Sequence, residues 1–276
     1  MYPVDLHVHS TMSDGTFTPK ELAFYAKAKG LVAIALTDHD TTAGVSECKK
    51  WGERVGLRVI AGTEFSASYN NVEVHILGYF LDIENQKLQQ TITKIKKVRD
   101  ERNVMMLERL KELGMEVSFD ELNVGDNNII TRANVARVIV DKGYVGSMDE
   151  AFNRYLGRGK PAYIGREFID YTECIDVIHQ AGGLASIAHP HIYKLNVEQF
   201  ISDLAAAGLD GIESIYPEYS AQQEAKYLEL CRAHNLFPSG GSDFHGDNKP
   251  GLDIGKGYGK TYVPETLLTT MESLLL

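Results

Sequence analysis

Side chains that bind divalent metal ions recur along this sequence of 276 residues where short apolar segments end. His7 and His9 lie two apart on the first such segment, so both imidazoles face the same side of a strand and can reach one ion. The candidate ligands are His7, His9, Asp14, His39, Glu64, His75, His189, Asp243 and His245. These nine side chains exceed what one ion can bind, and imidazoles with carboxylates favour Mn²⁺, Zn²⁺, Fe²⁺ or Mg²⁺. We therefore predict a centre of two or three divalent ions, with Mn²⁺ as the first choice.

Each of these residues, taken alone, has an ordinary structural explanation. His75 could be a strand histidine with a satisfied hydrogen bond, and Asp14 could be a loop residue. Two histidines on predicted helices, His179 and His234, are left outside the set for this reason, and His191 is left undecided. The grouping of so many metal-binding side chains at successive strand ends favours a metal centre over separate explanations.

Short apolar strands alternate with amphipathic helices along most of the sequence, which is typical of βα units in a parallel sheet or barrel. The predicted strands cover residues 4–9, 31–36, 57–61, 72–80, 184–188, 209–215 and 236–240. Helices are predicted from a capping box at Thr18 and Glu21 to Gly30, and over residues 42–55, 171–182, 197–207, 221–234 and 265–275. Nearly all candidate ligands follow the carboxyl ends of strands, where βα barrels build their active sites.

This alternation is interrupted between residues 84 and 160, where the sequence contains no convincing strand. Helices are predicted over residues 87–113, 131–142 and 147–156, the last with a capping box formed by Ser147 and Glu150. We predict that residues 84–160 form a helical cap inserted into a metal-binding barrel of residues 1–83 and 161–276.

The composition narrows the class of protein. Apolar residues make up 43% of the chain, and no apolar run approaches the ~18 residues that span a bilayer, so we expect a cytoplasmic protein without membrane contact. The three cysteines lie far apart and are expected to be small buried hydrophobes. A net charge of −10 argues against a broad grip on nucleic acid, although bound divalent ions would reverse the sign locally. We predict no stable protein partner.

Six short motifs resemble the PHP domain family, which is named for polymerase and histidinol phosphatase. They are His7-Val8-His9-Ser10, Ser13-Asp14-Gly15, Thr37-Asp38-His39-Asp40, Gly62-Thr63-Glu64, Ala188-His189-Pro190 and Gly241-Ser242-Asp243-Phe244-His245-Gly246. The helical insertion, with the segment 157–163, resembles the TrpH-like branch. The resemblance implies an α/β fold, a distorted (β/α)₇ TIM-like barrel with a helical cap. It also implies a phosphatase that removes the 3′-phosphate from nucleoside 3′,5′-bisphosphates, and some members degrade short RNA from the 5′ end.

The resemblance further implies how the ligands are shared among the ions. One ion would be held by His7, His9, Glu64 and Asp243. A second would be held by Asp14, His39 and His245. A third would be held by His75 and His189, with Glu64 as a bridge. Two positions depart from the family pattern, because Asn134 stands where many members have histidine and Ile192 where many have arginine.

Hydrolysis of a phosphate ester needs a nucleophile at neutral pH, charge neutralisation and proton transfer. Divalent ions supply the first two, since they lower the pKa of bound water towards ~7, and Asp243 is our candidate for moving the proton. The predicted cap offers cations for a second phosphate group: Arg99, Arg102, Arg132, Arg158 and Lys160. Exposed arginines on helices are often only solvated, which is the alternative for these five.

The sequence thus predicts a metal-dependent phosphoesterase that acts on a small phosphorylated nucleotide or on short 5′-phosphorylated RNA. A first alternative is a phosphatase for another small phosphate ester, such as histidinol phosphate. A second is a metal-stabilised module without catalytic activity, which the complete set of candidate ligands disfavours. Mononucleotide and oligonucleotide substrates both stay open at this point.

Overall fold

Nine strands form one sheet that curls into a nearly closed barrel in the computed structural model, which describes residues 3–122 and 129–275. The strands are β1 (Pro3–Val8), β2 (Ala33–Leu36), β3 (Arg58–Tyr69), β4 (Val72–Tyr79), β5 (Ile169–Asp170), β6 (Leu184–Ile187), β7 (Gly211–Ile215), β8 (Phe237–Gly240) and β9 (Val263–Pro264). Their order is β8-β7-β6-β4-β3-β2-β1-β9, and β5 pairs with β3. The predicted α/β fold, a distorted TIM-like barrel, is confirmed.

The segment after β8 closes the barrel against β1. The Val8 and Phe244 positions form a parallel bridge, and the backbone N–H of His9 donates to the carbonyl oxygen of Phe244 at 2.9 Å. Gly241 permits this approach, because a Cβ atom there would lie 2.4 Å from the Cβ atom of His7. Strand β1 and the segment after β8 therefore meet beside residues that are predicted ligands.

Strands β3 and β4 form a long antiparallel hairpin that the sequence did not fully predict. The prediction ended the first strand at residue 61, whereas β3 continues to Tyr69. Asn70 and Asn71 connect the two strands with φ values of 48° and 63°, and asparagine tolerates this left-handed conformation in two-residue turns. The hairpin places Glu64 inside a strand and pairs His75 with Ser66.

Helices lie around the barrel and in the segment between β4 and β5. They are α1 (Pro19–Ala28), α2 (Val45–Val55), α3 (Gln86–Glu112), α4 (Arg132–Asp141), α5 (Met148–Ala151), α6 (Tyr171–Gln180), α7 (Val197–Ala206), α8 (Ala221–His234) and α9 (Glu265–Ser273). The capping box predicted at Thr18 and Glu21 is present. Only one of the two hydrogen bonds of the capping box predicted at Ser147 and Glu150 is present. The hydroxyl of Ser147 accepts from the backbone N–H of Glu150, but the carboxylate of Glu150 accepts from the N–H of Gly146 and not from that of Ser147.

The helical segment between β4 and β5 packs around an apolar cluster of its own, and no strand is assigned to its described residues between 84 and 160. Its fully buried members include Met106, Leu110, Val135, Ile139 and Leu156. A short 3₁₀ helix at Phe119–Leu122 and a π-helical turn at Phe152–Leu156 complete the segment. The boundaries of the cap at residues 84 and 160 stay a prediction.

None of the helices in the described part of the chain is long and apolar enough to cross a membrane.

Candidate metal centre

The two histidines of β1 face a pair of carboxylates inside the barrel. The Nε2 atoms of His7 and His9 lie 3.1 Å apart. Both nitrogens lie 3.2–3.3 Å from Oε2 of Glu64 and 3.4–3.5 Å from Oδ1 of Asp243. All four side chains are buried. Four ligand atoms of the types that divalent ions prefer thus converge on one point.

A second group of ligand atoms surrounds Asp14, in the loop after β1. Its Oδ1 atom lies 3.2 Å from Nε2 of His245 and 3.9 Å from Nδ1 of His9. Its Oδ2 atom lies 3.7 Å from Nε2 of His39. These four residues offer ligand atoms within 4.8 Å of one another, which is close enough to surround one ion.

Glu64 connects the groups because its two oxygens face different histidines. Its Oε1 atom lies 2.9 Å from both Nδ1 of His75 and Nε2 of His189. Its Oε2 atom lies 3.1 Å from Nδ1 of His39, which also belongs to the group around Asp14. The structure therefore brings all nine predicted ligands together, and their division among individual ions stays a prediction.

Four polar atoms of the set support occupancy by cations. No hydrogen bond from the described residues reaches His9 Nδ1, Asp14 Oδ1, His39 Nδ1 or Glu64 Oε2, although all four atoms are buried. A buried polar atom without a partner costs about 1–3 kcal/mol. Such atoms facing one another fit the ligands of divalent ions, so the residues present suit the metals that the sequence predicts.

Hydrogen bonds behind the imidazoles aim their Nε2 atoms at the centre. The hydroxyl of Tyr193 donates to the Ala188 carbonyl, so it can only accept from Nδ1 of His189, at 3.1 Å. The Nδ1 atom of His245 donates to the backbone carbonyl of Asp243 at 2.9 Å. A proton fixed on Nδ1 leaves Nε2 as the atom available to a metal.

Burial and the neighbouring carboxylates shift the pKa values of the histidines in the centre. Burial alone would lower the pKa of His9, but the adjacent carboxylates of Asp243 and Glu64 outweigh it and raise that pKa to about 9. Burial likewise opposes protonation of His75, while the charge of Glu64 raises its pKa to about 10. Burial lowers the pKa of His39 to about 3. Without metal, protons on some of the histidines balance the buried carboxylates.

The side chain of Asp243, our candidate for proton transfer, is also held from outside the centre. Its Oδ2 atom accepts from the hydroxyl of Tyr216 at 2.8 Å and from the ammonium group of Lys249. Burial opposes its ionisation, but the charges of Lys249 and His7 keep its pKa well below the usual value. Asp243 is therefore an ionised acceptor whose Oδ1 atom faces the centre.

A cavity of about 940 Å³ lies beside the centre, between the barrel and the helical segment. Asp14, His39 and His75 line it on the barrel side. Four of the five predicted cap cations line it as well: Arg99, Arg102, Arg132 and Arg158. Lys160 is exposed and lies outside this lining.

Two arginines of the cavity share one carboxylate. Nε of Arg99 donates to Oδ2 of Asp40 at 2.7 Å, and its Nη2 atom donates to Ser66 Oγ at 3.0 Å. Nη2 of Arg166 lies 3.4 Å from the same Asp40 oxygen. Asp40 adopts a left-handed φ of 51°, a strained conformation of the kind found at functional sites.

Arg102 lies next to this pair and forms no ion pair with a carboxylate of the described residues. Its side chain is buried, with 3% of the residue exposed, and its Nε and Nη2 atoms make no hydrogen bond within the described chain. Burial and the neighbouring guanidinium groups of Arg99 and Arg166 lower its pKa. Because an arginine stays charged in proteins, the unfavourable burial of this charge beside other cations favours binding of an anion. We call Arg99, Arg102, Arg132 and Arg166 the arginine cluster.

Sequence reasoning missed several residues that contact the site, among them Arg166 and Glu213, whose Oε1 atom lies 2.8 Å from Nδ1 of His7. Arg166 lies in a segment without helical or strand periodicity, and Glu213 lies within the apolar strand β7, so neither position carries a local signal.

The structure gives a position to each of the two residues, Asn134 and Ile192, that depart from the pattern of the family the sequence resembles. The amide of Asn134 completes the N-terminal cap of α4, and Ile192 lines the cavity with 47% of its surface exposed.

Comparison with known proteins agrees with this geometry. The family model described as PHP domain matches residues 5–134. The chain is 36% identical over 260 residues to the 3′,5′-nucleoside bisphosphate phosphatase of Chromobacterium violaceum, covering 92% of this chain and 91% of that protein. It is 36% identical over 244 residues to a 5′-3′ exoribonuclease of Haemophilus influenzae, covering 87% and 89%.

A solved structure shares the fold over almost the whole chain. It comes from Bifidobacterium adolescentis and is assigned as a metal-dependent phosphoesterase. It superposes with a TM-score of 0.90 at 28% identity, covering 99% of this chain and 96% of that one. By its sequence, its barrel and its cluster of histidines and carboxylates, the chain belongs to the PHP domain family, as a hydrolytic phosphoesterase.

Proposed function

We propose that this protein removes the 3′-phosphate from a nucleoside 3′,5′-bisphosphate. The observation that carries the proposal is the buried guanidinium of Arg102, whose Nε and Nη2 atoms donate to no partner among the described residues although the side chain lines the same cavity as Asp14, His39 and His75. A buried cation whose donors lack partners stabilises a bound anion strongly, and a guanidinium is suited to the bidentate binding of phosphate.

The charge of the arginine cluster matches a second phosphate group. Within the described chain, the carboxylates that contact the cluster are Asp40, with Arg99 and Arg166, and Glu73, with Arg132 at 3.3 Å. Four guanidinium cations and two carboxylates leave two positive charges. A terminal phosphate carries up to two negative charges at neutral pH, so it would neutralise the cluster.

We propose that the reacting phosphate lies over the metal centre. The ions would be held by His7, His9, Asp14, His39, Glu64, His75, His189, Asp243 and His245. Divalent ions, of which we propose two or three Mn²⁺, would lower the pKa of a bound water and neutralise charge on the phosphate oxygens. Asp243 would accept the proton of the attacking water, and the hydroxyl of Tyr216, which donates to its Oδ2 atom, would hold the carboxylate in place.

The cap arginines would then orient the substrate. A phosphate held by the arginine cluster restricts rotation of the nucleotide, so the scissile group reaches the metal centre in one pose. The names of the relatives from C. violaceum and H. influenzae support a nucleotide substrate over histidinol phosphate. Short 5′-phosphorylated RNA is the second candidate, because 940 Å³ lies near the upper end of the usual range of ligand pockets.

The test is phosphate release by metal-stripped protein with and without added Mn²⁺. The substrates are adenosine 3′,5′-bisphosphate, the two matching monophosphates, histidinol phosphate and a short 5′-phosphorylated RNA. We expect activity that requires metal and prefers the bisphosphate. The substitution Arg102→Met should remove that preference and leave monophosphate hydrolysis largely unchanged, while Arg109→Met, at an exposed position of the same helix outside the cavity, serves as the matched control. Equal rates on bisphosphate and monophosphates in the wild type would contradict the role of the cluster.

A further inference from the structure

We propose that Glu213 is a positioning residue that fixes the proton of His7 on Nδ1 and holds the backbone of His189 in place. Its Oε1 atom lies 2.8 Å from Nδ1 of His7, and its Oε2 atom accepts from the backbone N–H of His189 at 2.7 Å. Glu213 is completely buried at the centre of β7. This inference rests on the proposed metal centre but not on the identity of the substrate.

A carboxylate is needed because both partners must donate. The backbone N–H of His189 can only donate, so Oε2 of Glu213 must accept. Acceptance by Oε1 places a proton on Nδ1 of His7 and leaves its Nε2 atom directed towards His9 and Glu64. Metal-binding histidines are commonly oriented by a carboxylate behind the ring in this way.

The second contact holds a strained segment. His189 has a φ of 29° and a ψ of 56°, and it precedes Pro190. A non-glycine residue in a sparsely populated region costs about 1–3 kcal/mol and persists only when its surroundings hold it. The bond from its N–H to Glu213 is part of this restraint, and it sets the position from which Nε2 of His189 reaches Glu64, at 2.9 Å.

Glutamine at this position cannot satisfy both partners. If its amide oxygen accepts from His189, its NH₂ group faces Nδ1 of His7 and requires an unprotonated nitrogen there. The proton of a neutral His7 would then move to Nε2 and block metal binding. If the amide is flipped, its NH₂ group faces the N–H of His189 and the restraint is lost. Loss of such an outer partner typically lowers metal affinity about 10–100-fold.

The first experiment measures metal binding rather than catalysis. Mn²⁺ affinity and stoichiometry are determined for the wild type and for Glu213→Gln. Two controls are Tyr219→Phe, which removes a hydrogen bond to the backbone oxygen of Glu213, and Glu218→Gln on the following exposed loop. We expect a loss of about 10–100-fold for Glu213→Gln and wild-type binding for both controls. Unchanged affinity of a folded Glu213→Gln protein, or an equal loss in Tyr219→Phe, would overturn the proposal.

A second experiment needs no variant at position 213. In Zn²⁺-loaded wild-type protein, nitrogen NMR of the histidine rings, assigned with a His7→Gln variant, reports which ring nitrogen of His7 carries the proton. We expect a slowly exchanging proton on Nδ1. A proton on Nε2 would overturn the proposal whatever the substrate specificity proves to be, so the two proposals fail independently.

Discussion

The hydroxyl of Thr131 donates a hydrogen bond to Oδ2 of Asp14 at 3.0 Å, which joins the helical segment to the candidate metal centre. The same hydroxyl caps the N-terminus of α4. One turn further on, the amide of Asn134 donates to the carbonyl oxygen of Ser13 at 3.0 Å. The loop that carries Asp14 is therefore held by the start of α4, through Thr131 and Asn134.

We predict that Thr131→Ala affects both stability and metal binding. Loss of an N-terminal cap typically lowers the free energy of unfolding by about 1 kcal/mol. The substitution also removes a donor from Asp14, so Mn²⁺ affinity should fall. Ser147→Ala is the matched control, because Ser147 caps α5 far from any candidate ligand. Urea unfolding should show similar losses for both variants, and a metal titration should separate them. Equal Mn²⁺ affinities would show that the contact with Asp14 is incidental.

A second prediction concerns the contribution of Arg102, in the arginine cluster, to the stability of the protein. Arg102→Met should raise the free energy of unfolding of the metal-loaded protein by about 1 kcal/mol or more, since an uncompensated buried charge gives way to an apolar side chain. The same variant should lose its preference for bisphosphate, so stability and specificity would change in opposite directions. Arg109→Met, at an exposed position of the same helix, should change neither stability nor preference strongly. A decrease in stability of Arg102→Met would show that its guanidinium is satisfied in the folded protein.

Arg132 and Lys160 should differ, although the sequence offered both as phosphate contacts. Arg132 lines the cavity next to Glu73, whereas Lys160 is exposed to solvent outside it. A hydrogen bond to a charged group contributes about 1.5–3 kcal/mol, which corresponds to about 10–100-fold in kcat/KM. Arg132→Met should show a loss of this size on the bisphosphate, and Lys160→Met should stay within about twofold. Equal effects of both substitutions would argue against the cavity as the phosphate site.

The nine candidate ligands were predictable because their signals are local. A histidine pair two residues apart on a strand, or a polar side chain just after an apolar segment, can be found without knowing the fold. The capping box at Thr18 is local in the same sense, and it is present. The outer end of β3 was missed because Ser66 and Ser68 interrupt its apolar character, and the hairpin depends on pairing with β4.

The contacts that orient the site could not be predicted, because they join distant parts of the chain. Glu213 and His7 are separated by 206 positions, and Arg166 and Asp40 by 126. A glutamate in an apolar strand, or an arginine in an irregular segment, has no local feature that reveals its partner. The sequence therefore predicts which residues can bind metal, while the tertiary fold decides which ring nitrogen each histidine presents.

We finally predict that Mn²⁺ binding releases protons and becomes tighter as the pH rises. The pKa of about 9 for His9 and of about 10 for His75 means that both rings hold protons at pH 7 in metal-free protein. A metal ion competes with these protons for the same nitrogen atoms, so affinity should rise about tenfold per pH unit for each proton displaced and level off above about pH 10. Calorimetric titrations at pH 7 in buffers of different ionisation enthalpy count the released protons. We expect the wild type to release at least one proton on binding Mn²⁺, and His75→Gln to release one proton fewer than the wild type. Binding without proton release would show that these rings are neutral before the metal arrives, and that buried carboxylates are balanced by other cations such as Lys249.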